Sequence, residues 1–358
     1  MNNSKFFGIS DNTLLICIIF LSFFGLILLY SATNQNIDIV FRQGTRLIFC
    51  FILMFIISLI DINKLKNMSP YIYILCLIML MITLFWGHDV KGAKRWIVIM
   101  GFSFQVSEII KFFVPMTLAW YLSLSDDKDI DIKKLIICFA IILAPIFFII
   151  KQPDLGTSLI ILLCGLITIF LGGIKKKQMI ILFGLFSIAI PIMWKFILLP
   201  YQKKRIMTLF DPTLDPLGSG YHIMQSKIAV GSGGFLGKGF LNGTQSQLEF
   251  LPERGTDFIF AVFAEEFGFV GVLILFLVYL IIIARCLKIT FKAKSYFAKI
   301  FSGSISSILI LLVVTNVSMA VGLLPVVGVT LPLISLGGSS LLSIFVAFGI
   351  MFSINRRA

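Results

Sequence analysis

Residues 12–32 have the sequence NTLLICIIFLSFFGLILLYSA, an apolar run that no charged side chain interrupts. A helix of about 20 such residues crosses the roughly 30 Å hydrocarbon core of a bilayer. The run is longer than the apolar region of a signal peptide, and it lacks an Ala-x-Ala-type cleavage site. We therefore predict that this segment is retained as a transmembrane helix.

Similar apolar runs recur along the chain of 358 residues, of which 59% are hydrophobic and only 13% charged. In soluble globular domains roughly a quarter of the residues are charged, so the composition excludes a soluble globular protein. We predict an all-α polytopic membrane protein of about ten transmembrane helices, forming a single domain over residues 1–358. The predicted spans are residues 12–32, 42–60, 69–86, 105–124, 133–150, 154–172, 179–199, 258–285, 300–323 and 332–354.

The six cysteines lie in or at the ends of these apolar runs, and none belongs to a CxxC pair. This placement is typical of small buried side chains, and it indicates neither a disulfide framework nor a metal site. The residues are Cys17, Cys50, Cys76, Cys138, Cys164 and Cys286.

The net charge of +13 indicates membrane orientation and not a nucleic-acid partner, because the basic residues lie in short loops between spans. One set of alternate loops, together with both termini, carries sixteen lysines and arginines, whereas the short loops of the other set carry six. The positive-inside rule places the first set in the cytoplasm. We predict a multi-pass membrane protein with both termini cytoplasmic.

The long segment at about 200–257, between the seventh and eighth spans, then lies on the outer side of the membrane. Its glycines and prolines predict a compact loop with tight turns and short interfacial helices. Loops of this length are usually functional, although a structural plug without chemistry remains an alternative.

Charged residues within or beside the spans are candidates for function, because burying a charge in a membrane is costly. Glu108 and Lys111 are three residues apart on one helix face, where they can pair. An ion pair that fixes helix packing and a role in binding substrate are equal alternatives for them. Asp154 begins a span and is expected to cap that helix. Asp257 lies where the outer loop enters the eighth span, a position that suits a base for a substrate hydroxyl. Helix capping is the alternative role for Asp257.

The outer side also carries a glycine-rich stretch and many cations. Residues 231–239 resemble a phosphate loop, but Ser232 and Gly239 break its pattern, so a flexible turn is the favoured interpretation. His88 and His222 are isolated, and no metal ligands are assigned. The cations would suit an anionic group such as a pyrophosphate, or form a plain solvated surface. They are Lys91, Lys94, Arg95, Lys203, Lys204, Arg205, Lys227, Lys238 and Arg254.

Several motifs, in order from near residue 90 almost to the C-terminus, resemble the SEDS family of membrane proteins that polymerise peptidoglycan. They include Lys91-Gly92-Ala93-Lys94-Arg95-Trp96, Gln105-x-Ser107-Glu108-x-x-Lys111, Gln152-Pro153-Asp154-Leu155-Gly156-Thr157, Gly243-Thr244-Gln245-Ser246-Gln247 and Pro252-Glu253-Arg254-x-Thr256-Asp257-Phe258. The last two are more similar to the elongation branch (RodA type) than to the division branch (FtsW type).

The resemblance implies a ten-helix fold in the bacterial inner membrane, and a glycosyltransferase that polymerises lipid II during cell elongation and rod-shape maintenance. It implies that Asp257 is the essential acid, and that Arg95, Glu108 and Lys111 match charged positions of a central cavity. Lys238 and Arg254 are further candidates for pyrophosphate binding. The implied partners are a class B penicillin-binding protein, other membrane proteins of the elongation complex, and membrane lipid.

Two positions depart from the family pattern. Gly255 stands where His is usual, and Val106 stands where Pro is usual. The first leaves Asp257 in place but puts any role of the histidine, such as tuning the base, in doubt.

An inverting displacement needs one base for the acceptor hydroxyl, while the pyrophosphate leaves as an anion that cations or Mg²⁺ stabilise. Mg²⁺ or another divalent cation is therefore the expected cofactor, with no organic cofactor. Two alternatives remain open: a lipid II flippase with a charged cavity, and a scaffold that only positions the penicillin-binding protein.

Overall fold

The computed structural model describes residues 11–90, 93–99, 102–125, 130–216, 218–248, 250–251 and 253–357. The main elements are α1 (Asn12–Ala32), α2 (Ile37–Leu59), α3 (Ile62–Trp86), β1 (His88–Val90), β2 (Ala93–Ile99), β3 (Phe102–Phe104), α4 (Val106–Leu122), α5 (Ile132–Lys151), α6 (Leu155–Leu171), α7 (Lys176–Ile192), α8 (Pro200–Phe210), α9 (Ser219–Ser232), α10 (Thr244–Gln247), α11 (Ile259–Lys292), α12 (Tyr296–Ala320) and α13 (Ser339–Arg357). A π-helical turn at Met193–Ile197 extends α7, and a 3₁₀ turn at Pro212–Leu214 follows α8.

The predicted polytopic helical fold is confirmed. Within the described ranges, eight helices are long and apolar enough to cross a membrane, and α6 is a shorter apolar helix. With α4, which carries Glu108 and Lys111, these helices correspond to the ten predicted spans. At 17 residues, α4 and α6 each measure about 26 Å, slightly less than a hydrocarbon core.

Several segments differ from the sequence prediction. Helix α3 begins at Ile62 and not at residue 69, and α11 continues to Lys292, beyond residue 285. A small antiparallel sheet in the order β1-β2-β3 follows α3, where a loop was expected. The last helix begins at Ser339 and not at residue 332. Its predicted start was wrong because Leu333 adopts a positive φ of 68°, which a right-handed helix does not allow. Val106, where the family usually has Pro, is the first residue of α4, a position that favours Pro without requiring it.

The two C-terminal spans form the interior of the bundle. Most of α12 and α13 is buried, whereas α7 buries none of its residues. Helix α12 packs against α4, α6 and α11, and α13 packs against α2 and α4. On α12, Ser302, Ser304 and Ser306 donate to carbonyls one turn earlier, so their hydroxyls are satisfied within the helix. Small side chains of this kind let membrane helices approach closely.

Helix α11 is broken at Gly268, whose φ of 62° and ψ of −166° are not helical. The loop at 233–239 fills the break. The amides of Lys238 and Gly239 donate to the carbonyls of Glu265 and Glu266, each at 3.0 Å. In return, the carbonyl of Gly234 accepts from the amide of Phe269 at 3.0 Å.

Residues 233–239 are therefore held by backbone hydrogen bonds in the break of α11, and we call this segment the clasp. The expected flexible turn is wrong for this part of the glycine-rich stretch. A Cβ at Gly237 would lie 2.1 Å from the carbonyl oxygen of Glu266, so a larger residue does not fit there. The clasp orders the first turns of α11, which directly follow Asp257.

Candidate functional site

Asp257 lies at the entrance to α11, on backbone that neighbouring helices hold in place. The side-chain amide of Asn316, which is buried on α12, donates to the carbonyl of Asp257 at 2.9 Å and to that of Val329 at 2.6 Å. The hydroxyl of Ser335 donates to the carbonyl of Thr256 at 2.7 Å. Phe258 occupies the N-cap position of α11, so the capping alternative does not describe Asp257.

The half-buried side chain of Asp257 borders a cavity of about 420 Å³. Its walls come from β2, the turn between α5 and α6, α8, α9 and the segment 325–328. The polar residues that line it are Arg95, Asp154, Tyr201, Gln202, Arg205, His222, Glu253 and Asp257. Carboxylate and guanidinium side chains thus line one cavity, at the end of the bundle where the long loop lies.

Arg95 lines this cavity, as its candidate role requires, but most of its guanidinium is occupied. Its Nε donates to the carbonyl of Gln152 at 2.9 Å, and its Nη2 donates to that of Pro153 at 2.6 Å. Its Nη1 lies 3.8 Å from Oδ2 of Asp154. Asp154 in turn caps α6 by accepting from the amide of Thr157 at 3.2 Å, as predicted. Arg95 therefore stabilises the turn between α5 and α6, which forms one wall of the cavity.

The predicted pair of Glu108 and Lys111 is confirmed. Lys111 Nζ lies 2.6 Å from Glu108 Oε2, and both side chains are largely buried on α4. The pair is not among the residues that line the Asp257 cavity. Its position on α4, which packs against α3, α6 and α12, fits a role in holding the bundle together.

Lys238 also lies away from the cavity. Its Nζ is 2.7 Å from Oε1 of the fully buried Glu265 and 2.8 Å from the hydroxyl of Thr244. Glu265 Oε1 also accepts from the amide of Gln245 at 3.1 Å. The neighbouring Glu266 is buried as well and accepts from the hydroxyl of Ser31.

The sequence interpretation did not single out Glu265 and Glu266, although charges inside an apolar span are themselves a signal. Glu265 gives Lys238 a partner within the protein.

Arg254 and Gly255 precede Asp257 but are not among the residues that line its cavity. Arg254 is half-buried and does not line the cavity. A Cβ at Gly255 would lie 3.2 Å from Cδ1 of Leu29 and 4.0 Å from Cβ of Leu336. A Cβ at position 255 would thus lie next to α1 and Leu336.

The sequence interpretation did not single out Tyr201 and Glu253, which line the cavity. Arg205 was named only as one of nine outer cations, and the folding of α8 brings it to the cavity that Asp257 lines. His222, which seemed isolated in the sequence, borders the same cavity. Lys91 lies outside the described residues.

Metal ligation was tested over the described ranges, where no group of three or more His, Cys, Asp or Glu side chains is close enough to hold an ion. Mg²⁺ is often held by one or two carboxylates together with substrate phosphates. Asp154, Glu253 and Asp257 are the carboxylates that line the cavity, and Oε2 of Glu253 accepts from the hydroxyl of Thr256 at 3.1 Å.

Comparison with known proteins gives consistent matches over nearly the whole chain. The FtsW/RodA/SpoVE family profile, described as a cell cycle protein, matches residues 11–358. The peptidoglycan glycosyltransferase MrdB of Escherichia coli strain K12 is 42% identical over 345 residues, covering 96% of this chain and 93% of MrdB.

Two solved structures share the fold. One, described as "Structural coordination of polymerization and crosslinking by a peptidoglycan synthase complex", has a TM-score of 0.84 at 27% identity, covering 97% of this chain and 98% of the other. The Thermus thermophilus rod shape determining protein RodA has a TM-score of 0.73 at 25% identity, covering 97% of this chain and 96% of its own.

Proposed function

Because this chain belongs to the FtsW/RodA/SpoVE family and is a peptidoglycan glycosyltransferase of the elongation type, we propose that Asp257 is its catalytic base. The observation that carries the proposal is the position of Asp257. Its carboxylate borders a cavity that also contains Arg95 and Arg205, where the long loop enters α11. A carboxylate beside cations suits a reaction that removes a proton and releases an anion.

The proposed reaction is a single inverting displacement on lipid II. Asp257 takes the proton of the acceptor 4-hydroxyl as its oxygen attacks the anomeric carbon of the donor sugar. The bond between that carbon and the diphosphate oxygen breaks, and the electron pair leaves with the diphosphate. An α-linked donor thereby becomes a β-1,4-linked glycan. No carboxylic acid is needed for the leaving group, because cations stabilise the diphosphate.

A divalent cation such as Mg²⁺ would supply further charge for the leaving diphosphate. Glu253 is the residue we propose to meet it, because Asp257 takes the acceptor proton on the opposite face of the donor sugar. The part of Glu253 is to present carboxylate oxygens to the cavity beside the arginines.

The proposed orientation places the long loop and Asp257 on the outer side, with both termini cytoplasmic, in the bacterial inner membrane. The proposed partners are a class B penicillin-binding protein that supplies the transpeptidase and other membrane proteins of the elongation complex. The synthase-complex match supports an assembly that couples polymerisation to crosslinking. The largely exposed apolar helix α7 fits contact with membrane lipid.

The test is polymerisation of lipid II by the purified protein with its transpeptidase partner. Asp257→Ala is expected to abolish glycan synthesis, whereas Asp89→Ala, which removes an exposed acid of β1, is expected to retain it. A folded Asp257→Ala protein that polymerises at the normal rate would refute the assignment. A flippase would instead translocate lipid II without making glycan, and a scaffold would let Asp257→Ala complement a deletion.

A further inference from the structure

We infer that Arg205, on α8, binds the diphosphate of the lipid-linked donor. The inference rests on the proposed function, and it replaces the cations that the sequence favoured for this task. A cation whose N–H groups already donate to acceptors of the protein has fewer donors left for a substrate.

The cations that the sequence favoured are occupied or lie outside the cavity. Arg95 uses its Nε and Nη2 on two backbone carbonyls and holds Asp154 with Nη1. Lys111 is paired with Glu108 at 2.6 Å. Lys238 is paired with Glu265 at 2.7 Å. Arg254 does not line the cavity.

Arg205 differs from these cations because it is exposed, and its guanidinium has five N–H donors. Within the described ranges, its hydrogen bond is a long one of 3.5 Å to the carbonyl of Val326. Its guanidinium carbon also lies 6.0 Å from the ring centroid of Tyr201, which leaves the donors at its edge available. Planar guanidinium groups bind phosphate oxygens through two parallel bonds, so this group suits a diphosphate.

Arg205 and Asp257 approach the same short segment of backbone. Arg205 contacts Val326, and a Cβ at Gly328 would lie 3.7 Å from Oδ2 of Asp257. Both side chains line the one cavity. A donor diphosphate at Arg205 would therefore occupy the same cavity as the base.

Hydrogen bonds join helix α8 to the turn between α5 and α6 that Arg95 holds. The backbone that carries Arg205 is therefore held in place. The hydroxyl of Tyr201 donates to the carbonyl of Pro153 at 3.1 Å, the same carbonyl that accepts from Arg95. The side-chain amide of Gln202 donates to that hydroxyl at 3.0 Å. Arg205 contacts the departing group and donates hydrogen bonds to its growing negative charge, while the proton goes to Asp257.

The test compares Arg205→Ala and Arg205→Lys with the control Lys203→Ala. Lys203 is on the same helix but borders a separate pocket beside Trp194, so its loss removes the same charge elsewhere. Removing one donor to a developing anion typically costs about 10²–10³-fold in rate. We expect Arg205→Ala to lose about 10²-fold in kcat/KM for lipid II, and Arg205→Lys to lie between it and the wild type.

A second readout separates binding from folding. Inorganic pyrophosphate is expected to inhibit wild-type and Lys203→Ala polymerisation equally, and to inhibit Arg205→Lys less. Titration calorimetry with pyrophosphate should detect binding to Asp257→Asn but not to Arg205→Ala, with each variant first checked by its elution and thermal unfolding. Wild-type kcat/KM and pyrophosphate binding in Arg205→Ala would overturn this inference alone. Full activity in Asp257→Asn would instead overturn the proposed function.

Discussion

The ion pair between Lys238 and Glu265 predicts a large loss of stability on Lys238→Met. Glu265 is fully buried on α11, and Lys238 Nζ lies 2.7 Å from its Oε1. Methionine keeps the apolar length of the side chain but leaves the carboxylate without its cation. Breaking one partner of a buried pair costs about 3–5 kcal/mol. The hydrogen bonds from Thr244 and Gln245 remain, and Lys238 is 26% exposed, so we expect about 2–4 kcal/mol.

The assay is equilibrium unfolding in detergent micelles, followed by tryptophan fluorescence. The control is Lys204→Met, because Lys204 pairs with Asp215 at 3.0 Å while its own side chain is 55% exposed. Exposed pairs contribute about 0–1 kcal/mol, so the control should change little. Adding Glu265→Gln to Lys238→Met removes the buried charge and should recover much of the loss. A Lys238→Met protein no less stable than Lys204→Met would refute the reasoning.

Two further predictions concern the clasp and the membrane orientation. Gly237→Ala should destabilise the protein by at least about 2 kcal/mol in the same assay, because φ is +82° and the new Cβ would meet the Glu266 carbonyl. Gly184→Ala on α7, where a Cβ meets nothing within 4 Å, should be neutral or stabilising, and an equal response of the two variants would contradict the clasp. A cysteine at position 257 should react with a membrane-impermeant thiol reagent from outside intact cells, whereas Lys133→Cys should react only after permeabilisation. The reverse pattern would contradict the orientation.

Much of the fold follows from the sequence, because lipid requires long apolar helices whose backbone groups are satisfied internally. The ten spans could therefore be predicted from run length and charge. The sheet at 88–104 could not, since its strands are short and no apolar run marks them. The break in α11 was also missed, because a single glycine within a span does not mark a break in the helix, and the loop that fills the break is distant from Gly268 in the sequence.

The candidate site was predictable where local spacing decides the contact. Glu108 and Lys111 are one helical turn apart, and Asp154 directly precedes the helix that it caps. Asp257 was identifiable because it stands at the boundary of a span. Arg205 and Lys238 were not separable from the other outer cations, since the tertiary fold of the long loop decides which cation faces the cavity and which faces Glu265.

The most direct measurement of the central claim is the single-turnover rate of Asp257→Asn with lipid II, compared with the wild type in the same complex. Asparagine keeps the shape of the side chain but is a very weak proton acceptor. A positioned general base contributes about 10²–10⁴-fold, so we predict a loss in that range with a nearly unchanged half-saturating concentration of lipid II. A wild-type rate in the asparagine variant would show that the acceptor loses its proton elsewhere.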